Sequence, residues 1–270
     1  MTGHLGFQLE IGQPPILVRD QVYLQQAGGT RARAVLVAAS AVSVLLPFLP
    51  FGGIVGYPLL LLSTLAHEMG HGLAALLVGL DFDSFRLYAD GSGVAMIGGQ
   101  AGRLSRAATA AGGLTGPAVA GALMFWLSSR PRLAQRALMI SGVLMVIACV
   151  LVVRNVFGLV FVGAVGGSLF FVGFRFGVGI AQFTAALLAV QMALSVFSRA
   201  DYLFTRTAMT SAGAMPSDVA QIAELLFLPY WFWGFVCGAI SVGVLVLGLS
   251  AFWKNSKVPS QDPGSLNSVI

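Results

Sequence analysis

The stretch Thr64–Leu73, "TLAHEMGHGL", decides how this chain must be read. It is flanked by "YPLLLLS" on one side and "AALLVGL" on the other. An apolar run of roughly 20 residues spans the hydrocarbon core of a bilayer as a helix. Two imidazoles and a carboxylate are expensive to bury there, so ionisable groups at that depth mark function by default.

The composition agrees with a membrane protein. Of 270 residues, 57% are hydrophobic and only 9% charged, and the mean hydropathy is +0.87. A soluble domain carries about 25% charged residues. Alternating strand patterns are absent, which argues against a β-barrel. The net charge is +5, but the basic residues stand singly at span ends. That pattern fits topology signals and contact with a lipid bilayer, and excludes nucleic acid as a partner. Cys149 and Cys237 sit in apolar runs and read as packing residues. There is no CxxC pair, and the opening "MTGHLGFQLEIGQPPILVRDQ" lacks the charged-then-apolar layout expected of a cleavable signal.

Walking outward, residues 1–33 read as an extramembrane tail, 34–253 as a transmembrane domain and 254–270 as a disordered tail. Spans are expected at about 34–50, 58–80, 107–127, 133–153, 156–174, 177–197 and 228–253. The fold class is an all-α polytopic membrane protein with six to seven transmembrane helices. A small β-hairpin, about 85–97, is expected between the second and third at or in the membrane surface, because "YADGSGVAM" places Asp-Gly between β-prone residues. Arg154–Asn155 breaks the fourth and fifth segments too abruptly for an ordinary loop, so one piece reads as tilted or re-entrant. Ser217 reads as the N-cap of a short helix to Leu226. Gly112 and Gly116 have the spacing of close helix contacts. With a cytoplasmic N-terminus, nine Lys/Arg fall inside, Arg31 and Arg33 among them, and six outside, Lys254 among them.

His67, Glu68 and His71 spell HExxH. Residues i and i+4 share a helix face, so the two imidazoles can grip one Zn²⁺. Glu68 can take a proton from the attacking water. Only three histidines and three glutamates occur in the whole chain, and three of these six lie in one five-residue window. A catalytic zinc takes three protein ligands. His4 lies in the tail, so the third is expected to be a carboxylate. Asp201, at the end of the sixth span, is preferred, and Asp218 is the alternative. Asp90 has backbone reasons to be in its turn. Arg154 reads as a helix-end residue snorkelling to the interface. Asn155 is a candidate to support a substrate carbonyl or orient a ligand.

"AHEMGHGLAALLVG" after an apolar span resembles the site-2-protease family of intramembrane zinc metallopeptidases, in its bacterial and fungal branch. "DGSGV", "GGLTGPAVAG", "RNVFG" and the "SD" before the last span follow in the order expected, over about residues 55 to 250. The resemblance implies a zinc held by two His and one Asp, with His67 and His71 as ligands and Glu68 as base. Better-studied members carry the Asp in an "LDG" box. There is none here, and "SRADYLF" is the nearest counterpart by order, which points to Asp201. The resemblance also implies that Gly91, Ser92, Gly93 and Val94 present an edge strand to an unwound substrate. The implied function is zinc-dependent cleavage of a single-span membrane protein in or near its span, in a bacterial cytoplasmic membrane. Two rivals are a catalytically silent scaffold or chaperone on the same fold, and a metal-ion transporter. The transporter would need a polar path through other spans, which the sequence does not offer.

Overall fold

The computed structural model describes residues 15–198, 200–211 and 213–256, with side chains from 29 onward except those of 200 and 201. Residues 1–14, with His4, and 257–270 belong to the two expected tails and lie outside the described residues. The order is α1 (Pro15–Leu45), α2 (Gly52–Leu77), β1 (Asp81–Leu87), β2 (Gly93–Gly98), α3 (Arg103–Ser128), α4 (Pro131–Leu151) and α5 (Val156–Arg175). Then come α6 (Val178–Ser198), a 3-10 turn (Ala200–Phe204), β3 (Thr207–Thr210), β4 (Gly213–Pro216), α7 (Asp218–Leu226) and α8 (Tyr230–Ser256). Among the described residues seven helical stretches are long and apolar enough to cross a membrane.

α2 and α3 meet backbone to backbone. A Cβ on Gly70 would lie 2.3 Å from the Gly112 carbonyl oxygen, and one on Gly116 would lie 2.4 Å from that of Ala66. Only glycine fits such contacts, and small residues are what let membrane helices approach this closely. The same closeness brings the face of α2 that carries His71 against α3.

The break at Arg154–Asn155 is a turn between two full helices, where a tilted or re-entrant piece was expected. α4 and α5 pair antiparallel: a Cβ on Gly142 would lie 2.5 Å from the Gly166 carbonyl, and Gln135 Nε2 donates to the Gly173 carbonyl at 2.8 Å. So short a connection works because its polar groups are satisfied locally. Arg154 donates to the carbonyls of Val150, Leu151 and Val153 at the end of α4. The Phe85 N–H donates to Val152 O at 2.8 Å, and the Arg154 N–H to Phe85 O at 3.0 Å.

β1 and β2 pair antiparallel, from Leu87↔Gly93 to Asp81↔Gly98, with a bulge between Phe82 and Ser84. The strands reach further than 85–97, and the hairpin lies back along α2. The Phe82 ring covers Gly72, and Gly93 abuts Glu68. Thr64 Oγ1 donates to Gly91 O at 2.7 Å and Tyr57 Oη to Ala89 O at 2.6 Å. From residue 72 to 57 is about 22 Å of helix at 1.5 Å per residue. The hairpin therefore shares the depth of the helix it covers. A second hairpin, β3–β4, was not foreseen from the sequence.

The described ends of the bundle lie together. A Cβ on Gly29 would meet the Ser256 carbonyl, and the Arg33 guanidinium stands over the Trp253 ring at 5.0 Å. The charge count had placed Arg33 and Lys254 on opposite faces. Six crossings between them satisfy this contact, whereas seven would part them by the bilayer, about 30 Å.

Candidate metal centre

His67, Glu68 and His71 stand on α2, whose long apolar run and good helix formers keep it regular through the motif. A turn and a tenth separates the two histidines, so both imidazoles emerge on the face turned to α3 and α7. Their Nε2 atoms are 3.1 Å apart. His71 Nδ1 lies 2.9 Å from the Thr109 carbonyl. A carbonyl only accepts, so that contact fixes the proton on Nδ1 and leaves the Nε2 lone pair free for a ligand role. Gly113 of α3 makes the room: a Cβ there would lie 2.2 Å from His71 Nε2.

Asp218 completes the group. One carboxylate oxygen lies 3.1 Å from His67 Nε2 and the other 3.4 Å from His71 Nε2. The three residues form a set that could hold a metal ion, with one donor atom from each lying within 4.8 Å of the others. Local sequence sets this up. Ser217 caps α7, its Oγ accepting from the Ala220 N–H at 3.2 Å and donating to Thr205 O at 2.6 Å. That cap, expected from the sequence, places Asp218 as the first helical residue and aims it at α2. Burial alone would push its carboxyl up. Positive charge on a protonated His71 and hydrogen bonds donated by both imidazoles outweigh burial and hold it well below the usual carboxylate range, in the protonation state where Nε2 donates to Asp218 instead of serving as a ligand.

Asp218 thus occupies the place beside the imidazoles that was expected for Asp201. Asp201 lies in the 3-10 turn Ala200–Phe204, and its side chain is outside the described residues. Tyr202 in that turn was not singled out from the sequence. Its ring stands edge-on to His67 at 5.9 Å and its hydroxyl is 3.5 Å from Asp218 Oδ2. A single tyrosine beside an acid in "ADYLF" gives no pattern that periodicity could detect.

Glu68 is buried against Gly93, where an added Cβ would lie 2.7 Å from Oε1. The Ala95 N–H faces its carboxylate. A cavity of about 270 Å³ beside it is lined by Asp90, Gly91, Ser92 and Gly93. A second, of about 500 Å³, is lined by His67, Glu68, His71, Val94, Ala95 and Asp218. The hairpin residues picked out in the sequence therefore border the group. Asn155 does not. Its Nδ2 donates to Leu87 O at 2.6 Å and its Oδ1 accepts from the Leu87 N–H at 3.2 Å. The expectation that it supports a substrate carbonyl or a ligand gives way to a place at the far edge of β1.

A family model described as Peptidase M50B-like matches residues 34–248. No curated protein and no solved structure matches the chain.

Proposed function

The chain belongs to the peptidase M50B-like family, which is the site-2-protease family, and from that premise we propose that it is a zinc-dependent intramembrane endopeptidase. Membership makes it a multi-pass membrane metallopeptidase; the metal, the substrate and the place of cleavage are our reading.

The observation that carries the reading is the distance set among His67, His71 and Asp218. Zn–N and Zn–O bonds of about 2.0–2.2 Å in a tetrahedron put neighbouring ligand atoms about 3.3–3.5 Å apart. The two Nε2 atoms are 3.1 Å apart, the Asp218 carboxylate comes within 3.1 Å of His67 through Oδ2 and 3.4 Å of His71 through Oδ1, and one donor atom from each residue lies within 4.8 Å of the others, a group compact enough for one ion. Two imidazoles and one carboxylate are also a donor set that catalytic zinc favours, with one position left for water or substrate. When bound, the ion would supply a Lewis acid and bring the pKa of water towards neutrality.

The chain's own residues would do the rest. His67, His71 and Asp218 hold the ion, and Thr109 fixes the His71 tautomer. Glu68 takes a proton from the attacking water and delivers it to the amide nitrogen as the C–N bond breaks. β2 offers a strand edge to a substrate whose peptide bonds must be extended before attack. A hairpin laid along α2 suits a substrate cut in or near its own span, so a single-span membrane protein is the substrate class we favour. We place the protein in a bacterial cytoplasmic membrane on the resemblance to that branch.

A missing "LDG" box would favour the silent scaffold if it left the histidines without a carboxylate partner, and Asp218 is such a partner. Zinc content tests the reading. Purified protein should carry about one zinc per chain, and His67→Ala or Asp218→Asn should lose it. Little zinc in the native protein, or its full retention in both variants, would favour the scaffold.

A further inference from the structure

The slot beside Glu68 has two open strand edges. β1 is bonded on both sides, to β2 and, through Phe85, to Val152 and Arg154. Asn155 extends that coverage to Leu87. Among the described residues β2 has its ladder partner in β1; on its other edge the Ala95 N–H is bonded to the Glu68 carboxylate, and the rest of that edge has no strand beside it. β3 and β4 form a separate two-stranded sheet. Ala208 and Thr210 of β3 line the same cavity as Val94, Ala95 and Ile97 of β2, together with His67, Glu68 and Asp218.

The two hairpins touch at their tips. Ser211 Oγ donates to Asp90 Oδ2 at 2.6 Å, and the Ser211 N–H donates to Ser92 Oγ at 3.2 Å. Ser92 in turn donates to Asp90 Oδ1 from both its N–H and its hydroxyl. Thr210 and Gly213 flank a two-residue turn, so that pair sits at a hydrogen-bonded position of the ladder. The next pair, Met209↔Ala214, then turns its backbone groups outward. Met209 is 78% exposed.

We propose that β3 is a second docking edge, and that an extended polypeptide segment lies between β2 and β3 with its main chain bonded on both sides. Unpaired strand edges are templates for a further strand, and a polar backbone edge in apolar surroundings is costly unless paired. One occupant satisfies both edges: a segment with its own N–H and C=O groups on two sides. The Asp90–Ser211 bridge closes one end of the slot, and Glu68 stands where the segment passes. β4 leads directly into Ser217 and Asp218, so a segment seated on β3 sits one short connection from that carboxylate. Only the fate of the bound segment rests on the peptidase reading.

Photo-crosslinking tests the docking apart from catalysis. A benzophenone amino acid is placed at Ile97, at Met209 or at Phe227 in full-length Glu68→Gln protein in detergent. The probe is β-casein, an unfolded polypeptide. Ile97, which lines the larger cavity beside Glu68, and Met209, which lines the smaller one, should both label casein, and Phe227, which is 80% exposed and lines neither, should not. Labelling from Ile97 alone, from neither strand, or equally from Phe227 would overturn the proposal. In a separate arm, Met209→Pro removes the outward donor and should weaken casein binding at least tenfold while Ile97 still reports a formed site. Unchanged binding would overturn it too. Labelling from both strands in a protein whose wild type never cuts would sink the peptidase reading and leave the docking intact.

Discussion

Gly113 controls His71 from the neighbouring helix. A Cβ there would overlap Cε1 and Nε2 of the imidazole, both at 2.2 Å, and any swing of the ring to escape it would break the contact of Nδ1 with the Thr109 carbonyl. Gly113→Ala is expected to weaken zinc binding by about 10–100-fold, the range seen when a ligand loses its orientation. Equilibrium dialysis against zinc measures this, and wild-type affinity would contradict it. At the same scale, Asp218→Asn should lose zinc and Asp201→Asn should keep it. The histidines were legible because i,i+4 spacing is a local property of one helix. The choice between the two acids was not, since it depends on how α7 docks on α2 and α3 from more than a hundred residues away. The Ser217 cap was readable, and it fixes where α7 begins; what the sequence did not carry is the direction in which that helix aims its first carboxylate.

The elements around the site differ in how plainly their sequences announce them. The first hairpin was visible through Asp90–Gly91, with Gly91 at φ +88° as such a turn requires. β3–β4 was not: "TAMT" and "GAMP" are four residues each, with small side chains and no alternation of strongly apolar with polar residues. Asn155 acts at this scale. Asn155→Leu should leave zinc content unchanged and destabilise the first hairpin by about 1–3 kcal/mol through an unsatisfied Leu87 backbone. Faster hydrogen exchange at Leu87 would report it, and loss of zinc with unchanged exchange would contradict it. The bridge between the hairpins depends on pH. Hydrogen bonds from Ser211 and Ser92 hold the Asp90 carboxyl below its ordinary value. A depressed pKa means the contribution is present above the unfolded value and is lost as pH falls through the folded one. The bridge should therefore persist through neutral pH and open only in acid. In Ser211→Ala the carboxyl should titrate closer to its ordinary value, seen by carboxyl NMR; an identical titration would contradict the bridge.

At the scale of the whole molecule, long apolar runs made the helices legible, and Gly112 and Gly116 already marked the contact that α3 makes with α2 at Gly70. The arrangement of α1 was not legible. Charge counting treats each span as a crossing, whereas Arg33 over Trp253 and Gly29 against Ser256 bring the two ends to one face. Cysteines placed at Thr30 and Ser256 should react with an impermeant thiol reagent from the same side of a sealed vesicle; labelling from opposite sides would contradict this. The bundle, the two hairpins and α7 all converge on a few side chains, and the central claim is that these cut a peptide bond. The most direct measurement is turnover of a single-span substrate in liposomes by wild type and by Glu68→Gln, each first shown to hold equal zinc. Loss of the proton carrier should slow cleavage by about 10²–10⁴-fold at unchanged metal content. Equal turnover by the two proteins, or no cleavage by zinc-loaded wild type, would contradict the account.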